Sequence, residues 1–259
     1  MRNSSLITLA LASVLAFSTF TGCATTGDAN DGYGEEDGEA TGIGKLSLWQ
    51  STDGQWRFNL KSGNGGILLT SEAYVARTGA INGMLSVLEN GVDPAQYEVV
   101  PAKNGYVVHL TAGNHETISF SQTYSTKSSA TRAVKSCVNA TTTYLDRREA
   151  DFAGARFEVQ ATDSGAYHFN VHAKNGQVVL SSESYTTEAA AYNGAFAVQK
   201  DGQAATSYTI KENAQAGFYF TLSALNGEVI GMSQQYTTRQ AAADGIKSLQ
   251  TLLPTLAPL

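Results

Sequence analysis

The stretch GFYFTLSALNGEVIGMSQQYTTRQAAADGIKSLQTLL spans residues 217–253, and its pattern recurs three times upstream. The four copies align on an asparagine that is followed ten residues later by a tyrosine. The asparagines are Asn64, Asn114, Asn175 and Asn226, and the tyrosines are Tyr74, Tyr124, Tyr185 and Tyr236. A recurring pattern of this length predicts a tandem array in which each copy is one supersecondary unit.

Each copy begins with an alternation of apolar and polar residues, as Phe218, Phe220 and Leu222 show in the last one. Alternation with a period of two predicts a half-buried strand. In three copies an Asn-Gly pair follows, which favours a tight hairpin turn because both residues tolerate positive φ. The second copy has His115 in place of that glycine, which leaves its turn geometry open. A second strand follows the turn.

Past the tyrosine the apolar spacing changes to three and four residues, as for Ala242, Gly245 and Leu249. This spacing predicts a helix whose small residues lie close to the sheet. A threonine occupies the expected N-cap position in three copies, at Thr126, Thr187 and Thr238. One more strand-like segment precedes each copy, at residues 45–50, 96–100, 156–160 and 207–211. The predicted unit is therefore three strands followed by one helix.

The stretches KLSLWQSTDGQWRFNLKSGNGGILLTSEAY (residues 45–74) and FYFTLSALNGEVIGMSQQYTTRQAAADGI (residues 218–246) resemble the YegP-like family of small tandem-repeat proteins. The shared motif is a strand, an Asn-Gly turn, a strand ending in Ser-x-x-Tyr, and a helix with Ala-x-x-Gly. The resemblance implies an α+β fold of tandem β-β-β-α repeats. It implies two repeats per antiparallel sheet, helices packed on one face and exchanged strands as a variant, and the family brings no established enzyme activity. Two departures, His115 and Ala133 in place of glycines, lie in the second repeat.

The first 22 residues are predicted to be a secretory signal sequence. Arg2 precedes an apolar run that is shorter than the roughly 20 residues of a transmembrane helix. The run ends in Phe20-Thr21-Gly22-Cys23, which resembles the bacterial lipobox, whose cysteine is diacylated and becomes the N-terminus. By resemblance to lipoprotein sorting, Ala24 after the cysteine favours the outer membrane of the cell envelope. The alternative is ordinary cleavage near Ala24, which leaves a secreted soluble protein.

Residues 23–44 are predicted to be the lipidated Cys23 followed by an acidic, disordered tether. This stretch has almost no large apolar side chains, so it cannot bury a core. It carries six acidic residues and no Lys or Arg: Asp28, Asp31, Glu35, Glu36, Asp37 and Glu39. The chain has 17 basic and 23 acidic residues, and without these six and Arg2 the rest keeps 16 and 17. The acidity therefore belongs to the tether, which we interpret as a solvated spacer.

The repeats divide the folded part of the chain into two domains of two repeats each. Residues 45–143 are predicted to form the first domain and residues 155–253 the second. The charged stretch YLDRREADFAG (residues 144–154) is predicted to be a linker or a short helix, and residues 254–259 a short tail. About 100 residues per domain are enough for a modest core.

Neither the cysteines nor the serines form a pattern typical of a nucleophile. Cys137 aligns with Val87, Val198 and Leu249, so we interpret it as a small apolar substitute on the buried helix face. A serine recurs three residues before each tyrosine, at Ser71, Ser121, Ser182 and Ser233. Without a Gly-x-Ser-x-Gly elbow or a matching His or Asp, the favoured role is a structural hydrogen bond. The four tyrosines are interpreted as packing anchors between strand and helix.

No metal, cofactor or nucleic acid is predicted as a ligand. His168 and His172 share a strand face, but their Cα atoms would lie about 13 Å apart, which is too far for one ion. The sequence has no His-x-His or Cys-x-x-Cys pattern, no P-loop and no dinucleotide fingerprint. A nearly neutral folded part also lacks the basic footprint that nucleic-acid binding needs.

The polar faces of the sheets are the remaining candidates for binding. The residues of the predicted ligand face are Arg57, Asn59, His109, His168, Asn170 and Tyr219, with Lys61, Thr111, His172, Thr221 and Ser223 also predicted to point outward. A solvated surface with no ligand is the alternative for this face.

Two functional hypotheses follow from these observations. The first is a non-catalytic envelope lipoprotein that acts as an interaction or scaffold module, with the membrane and an envelope protein as partners. The second is a binding protein for a small ligand such as a glycan or a peptidoglycan fragment. An enzyme is a third hypothesis, although no catalytic residue is predicted.

Overall fold

Residues 42–150, 154–215 and 217–259 are described by the computed structural model of the chain, without the side chains of residues 149 and 150. The predicted signal sequence, Cys23 and nearly all of the predicted tether lie outside the described residues. The described residues therefore comprise the four repeats.

Each repeat consists of three strands and one helix, as the sequence predicts. The first two repeats contain β1 (Lys45–Gln50), β2 (Trp56–Lys61), β3 (Ile67–Ser71), α1 (Arg77–Asn90), β4 (Tyr97–Ala102), β5 (Gly105–Thr111), β6 (Thr117–Phe120) and α2 (Lys127–Ala150). The last two contain β7 (Arg156–Ala161), β8 (Tyr167–His172), β9 (Val178–Ser181), α3 (Glu188–Asp201), β10 (Tyr208–Glu212), β11 (Phe218–Ser223), β12 (Val229–Met232) and α4 (Arg239–Leu252). Short 3-10 turns lie at Pro94–Gln96, Ala205–Ser207 and Leu253–Thr255.

Two repeats share each six-stranded antiparallel sheet, which confirms the predicted α+β fold. The strand orders are β1-β2-β3-β6-β5-β4 and β10-β11-β12-β9-β8-β7. The two repeats of a sheet meet at their third strands, where Thr70 pairs with Phe120 and Met232 with Ser181. The strands of each repeat stay adjacent in the sheet, so the exchanged arrangement is not the one adopted.

The turns and helix caps follow from local sequence. Gly65, Gly176 and Gly227 have φ of 94°, 80° and 86°, but the asparagines before them do not have positive φ. The hairpins are therefore not the primed Asn-Gly turns that the sequence predicts but longer loops that end in a left-handed glycine, since Gly65 N–H donates to the Ser62 carbonyl and Ser62 N–H to that of Gly66. His115 adopts the same left-handed conformation with φ of 65°, so the second repeat forms its turn without glycine. The predicted threonine caps are confirmed, because Thr126, Thr187 and Thr238 accept hydrogen bonds from backbone N–H groups at 3.1, 3.1 and 3.0 Å. Before α1 stands Ala76, with no side-chain cap.

The recurring serines join the second and third strand segments of each repeat. The backbone N–H groups of Phe58, Val108, Phe169 and Phe220 donate to the four serine Oγ atoms at 2.8–3.0 Å. Each serine hydroxyl in turn donates to the carbonyl of the next residue at 2.7 Å. The predicted structural hydrogen bond is therefore confirmed.

The tyrosines lie between sheet and helix. Each forms a backbone bridge to an aromatic residue at the start of the second strand of its repeat, as Tyr74 does with Trp56. In three repeats the tyrosine ring also stacks on a fully buried phenylalanine, with ring centres 6.1–6.3 Å apart. The stacked pairs are Phe58–Tyr74, Phe169–Tyr185 and Phe220–Tyr236. The second repeat has Val108 at the phenylalanine position.

Helices α1 and α3 pack against each other and join the two halves. Arg77 donates from Nε to Asn193 Oδ1 at 2.6 Å and from Nη2 to the Asn193 carbonyl at 3.1 Å. Its guanidinium carbon lies 5.5 Å from the ring centre of Trp56 and 6.0 Å from that of Phe196. Tyr192 of α3 is buried in the core of the first half. The described repeats consequently form one compact unit.

The segments at the ends of the repeats also pack on this junction. Helix α2 runs to Ala150, so residues 144–150 of the predicted linker are helical. Arg148 on this extension donates to Tyr192 Oη at 2.7 Å. Within residues 254–259, Leu256 packs in the core of the second half and Leu259 in that of the first. The chain end therefore contributes to both cores.

Candidate functional site

Each sheet has a face turned away from the helices, which we call its outer face. In the first sheet, six residues in register cross the middle of this face: Ser47, Asn59, Thr70, Phe120, His109 and Glu98. In the second sheet the corresponding row is Thr209, Thr221, Met232, Ser181, Asn170 and Glu158. Both rows thus place one large apolar side chain among polar ones.

These apolar side chains are open to solvent. Phe120 is 41% exposed and Met232 is 52% exposed, although both lie on central strands. Phe120 is in register with Thr70 on one side and His109 on the other. Burial lowers the pKa of His109 and Glu98 opposes the shift, so the imidazole is neutral near pH 7. The centre of the first outer face is therefore an exposed ring beside uncharged polar groups.

Around Glu158, the second outer face pairs its polar groups internally. Glu158 Oε2 lies 2.6 Å from His172 Nε2 and 3.3 Å from Arg156 Nη2. His172 Nδ1 also lies 3.0 Å from the Gly176 carbonyl, so each ring nitrogen has an oxygen within hydrogen-bond distance. Burial raises the pKa of Glu158, but a hydrogen bond from Gln160 and the neighbouring positive charges outweigh it and lower the pKa. The ionised carboxylate thus holds this cluster together.

Asparagines at equivalent positions differ between the two faces. In the second sheet, the Ser181 hydroxyl donates to Asn170 Oδ1 at 2.8 Å. In the first sheet, Asn59 Oδ1 and the neighbouring Ser47 Oγ are buried and have no hydrogen-bond partner. Thr70 occupies the place of Ser181 in the row. Buried polar atoms without partners are rare in proteins, so the first outer face is the unusual one.

The structure divides the predicted ligand face between two sheets. Arg57, Asn59 and His109 lie on the first outer face, and His168, Asn170 and Tyr219 on the second. The two groups of three are therefore not one site.

Several of these side chains are less available than the sequence predicts. Asn59, His172 and Thr221 lie on the outer faces as predicted but are only 7%, 7% and 5% exposed. Arg57 is held by Asp53, with Nη2 2.9 Å from Oδ2, and also bonds the Ser51 hydroxyl. The hydrogen bond from Arg57 holds the pKa of Asp53 well below the usual range. A β-strand pattern gives the direction of a side chain but not its neighbours across the sheet.

Two residues that the sequence reasoning missed are Phe120 and Met232. Both stand six residues after the aligned asparagine, where the other repeats have Thr70 and Ser181. The strand alternation places this position on the outer face, because the recurring buried serine follows it directly. A large apolar residue at an outward position was the signal that would have found them.

Among the other candidates, Cys137 is fully buried on α2, and burial raises the pKa of its thiol to about 12. This agrees with its interpretation as an apolar substitute. Within the described part of the chain, no group of three or more His, Cys, Asp or Glu side chains is placed to hold a metal ion. None of the helices described there is long and apolar enough to span a membrane.

Known proteins with similar sequences match the repeats. UPF0339 protein YegP of Yersinia pestis is 41% identical over 93 residues, which are 36% of this chain and 83% of that protein. A UPF0339 protein of Acinetobacter baylyi is 45% identical over 101 residues, covering 39% and 91%. YegP of Escherichia coli is 42% identical over 94 residues, covering 36% and 86%. Each relative therefore corresponds to about two of the four repeats.

Two solution NMR structures of relatives also match. A UPF0339 protein of Shewanella oneidensis has a TM-score of 0.38 at 31% identity, covering 40% of this chain and 89% of its own. The E. coli protein YegP, described as a protein of unknown function, has a TM-score of 0.37 at 39% identity, covering 39% and 89%. The family described as "Domain of unknown function (DUF1508)" matches residues 51–98, 102–144, 163–208 and 213–257. Since these four segments make up more than half of the chain, the protein belongs to the DUF1508 family.

Proposed function

We propose that this chain is a cell-envelope lipoprotein, anchored through Cys23, that acts as a non-catalytic interaction module. Its contact surface is the outer face of the first sheet. The observation that carries this proposal is the contrast between the two outer faces. The first has Ser47 Oγ and Asn59 Oδ1 without hydrogen-bond partners, in the same row as the exposed Phe120. In the second, the corresponding Glu158 and Asn170 are both paired, with His172 and Ser181.

An aromatic side chain at the centre of a polar surface is typical of a binding hot spot, because it buries much apolar area on contact. Unpaired polar atoms elsewhere on the same face gain hydrogen bonds when a partner arrives. The first outer face has both features. Turnover of a substrate by the purified protein, abolished by one side-chain substitution, would contradict the non-catalytic part of the proposal.

The anchor rests on the sequence Phe20-Thr21-Gly22-Cys23 and is tested separately. Cells that produce the chain are fed labelled palmitate, and the protein is analysed by intact mass and by membrane fractionation. We expect label and outer-membrane localisation in the natural chain, and loss of both in Cys23→Ser. A natural chain without label, found in the soluble fraction, supports cleavage near Ala24 instead.

A glycan or peptidoglycan fragment is the second candidate ligand for the same face. Phe120 offers a ring on which a sugar can stack, with the neutral His109 and Thr70 beside it. A ligand present at about 100 times its Kd stabilises the folded chain by about 2.7 kcal/mol. We therefore expect peptidoglycan fragments to raise the Tm of the natural chain and of Met232→Ser, but not of Phe120→Ser. Equal Tm shifts in all three chains would exclude this face as the binding site of the fragments.

A further inference from the structure

Two lysines stand side by side at one end of the first outer face. Lys45 on β1 is in register with Lys61 on β2, and both side chains point away from the helices. Lys45 is exposed and Lys61 is half-buried. Like charges directly opposite each other on a sheet are destabilising unless an anion lies between them. Among the described residues, neither lysine has an ion-pair partner.

The third repeat has a carboxylate beside the equivalent pair of basic residues. There Arg156 and His172 occupy the two cationic positions, in the same register on β7 and β8. Glu158 lies beside both, and its carboxylate contacts them at 3.3 and 2.6 Å. Glu158 is in register with Asn170, as Ser47 is with Asn59. The first repeat therefore has basic residues at the same two positions as the third repeat and a serine in place of the carboxylate.

The polar atoms around Ser47 also lack partners. Ser47 Oγ and Asn59 Oδ1 are both buried, and Asn59 is only 7% exposed as a residue. The hydroxyl has a proton to donate and the amide oxygen has lone pairs to accept a donor. The hydroxyl thus lacks an acceptor and the amide oxygen lacks an N–H or O–H donor, next to the two lysines.

We propose that Lys45, Ser47, Asn59 and Lys61 form a binding site for a carboxylate side chain of an acidic peptide segment. The carboxylate takes the place that Glu158 has in the third repeat, between the two lysines and within reach of the Ser47 hydroxyl. A peptide also supplies backbone N–H groups for Asn59 Oδ1, which a simple organic acid does not. This inference names the chemistry of the partner and rests on the proposed function of the first outer face.

The acidic side chain has two possible sources. One is a separate protein, and the other is this chain itself, since its six acidic residues between positions 28 and 39 directly precede β1. A segment of the same chain has an effective concentration in the millimolar range, so it competes with any free peptide. The experiment therefore needs one form of the chain in which these six residues are changed to their amides.

Tryptophan fluorescence provides the readout, because Trp49 lies on the same face two residues after Ser47. The probe is a hexaglutamate peptide, titrated at low ionic strength into the purified mature chain and into the amide form. We expect saturable binding by the amide form. If the natural chain binds the peptide more weakly than the amide form, its own acidic segment occupies the site. If both bind it equally, the site is free to bind a separate protein.

Substitutions in the amide form test the site itself. Lys61→Gln should weaken binding at least tenfold, and Ser47→Glu should abolish it by supplying the carboxylate internally. Lys211→Gln, on the outer face of the second sheet, is the matched control and should bind as before. Thermal unfolding of each variant checks folding, and Ser47→Glu should have an unchanged or higher Tm.

The proposal is overturned if the amide form does not bind the peptide, or if Lys61→Gln and Ser47→Glu bind it unchanged. These measurements use purified protein and do not depend on membrane anchoring or on Phe120. Peptide binding without any partner at Phe120 in cells would therefore count against the proposed function alone.

Discussion

At the scale of single residues, one helix position shows how the repeats keep the same packing with different side chains. In three repeats a glycine faces the phenylalanine–tyrosine pair. A Cβ atom on Gly83 would lie 2.6 Å from Tyr74 Oη and 2.7 Å from Phe58 Cε1, which is closer than atoms pack. The second repeat has Ala133 there and Val108 instead of phenylalanine. The smaller strand residue thus makes room for the larger helix residue.

We predict that Gly83→Ala destabilises the protein by about 1–2 kcal/mol. Overpacking costs about 1–3 kcal/mol, and the better helix propensity of alanine returns up to about 1 kcal/mol. Urea unfolding of Gly83→Ala, Phe58→Val and the double variant measures the coupling between the two positions. The double variant, which copies the second repeat, should lose less stability than the two single losses combined. If the loss in the double variant equals the sum of the two single losses, Val108 does not make room for Ala133.

A second residue-scale prediction concerns the charge of Glu158. Its pKa is lowered in the folded state, so the ionised carboxylate contributes stability above its usual pKa of about 4.5. That contribution is lost as the pH falls through the lowered folded-state pKa. Glu158→Gln should therefore cost about 1–3 kcal/mol at pH 7, because the side chain is only 13% exposed and bonded to charged groups.

The measurement for this prediction is urea unfolding at several pH values. The difference between the natural chain and Glu158→Gln should shrink steadily below about pH 4.5. Glu98→Gln is the control, since Glu98 holds the equivalent register position but is exposed, and surface changes are usually within about 0.5 kcal/mol. A difference that does not vary with pH would show that the carboxylate charge plays no part.

At the scale of elements, one sequence position distinguishes α1 and α3, which pack on each other, from α2 and α4. The position 21 residues after the aligned asparagine is Leu85 in α1 and Phe196 in α3, both packed at the junction. In α2 and α4 the same position is Lys135 and Lys247. The difference between apolar residues in α1 and α3 and lysines in α2 and α4 at this position indicates that α1 and α3 pack together.

We predict that Arg77→Ala weakens the junction between the two halves by about 1–3 kcal/mol, because it removes two hydrogen bonds of a charged group and two ring contacts. Arg239→Ala is the matched control, since Arg239 is the first residue of α4 as Arg77 is of α1. Its effect should stay within about 0.5 kcal/mol. Calorimetry measures both. Equal losses in the two variants would show that the Arg77 contacts do not stabilise the junction.

At the scale of the whole molecule, the repeat pattern was sufficient to predict the fold. Alternation, Asn-Gly turns and helix spacing are local features, and they recur four times, so each copy supports the others. The same reasoning did not predict the packing of the two halves or the burial of residues 256 and 259. Those depend on which surfaces meet in space, and a local period carries no information about that.

The candidate site was predicted only in part. The sequence placed Asn59 and His109 on the outer face, but their surroundings come from four other strands. Whether a polar group there is paired, as Asn170 is by Ser181, depends on a residue in another strand. The contrast between the two faces is therefore a tertiary property. It is also what makes the second sheet a natural control for the first.

Site-specific photo-crosslinking in living cells shows whether the first outer face contacts a partner. Phe120 is replaced by a photoreactive phenylalanine derivative in one strain and Met232 in another, since both are exposed and occupy equivalent places on the two sheets. The account predicts a discrete crosslinked product from position 120 that is absent or much weaker from position 232. No product from position 120, or the same products from both positions, would contradict the assignment of the first outer face as the contact surface.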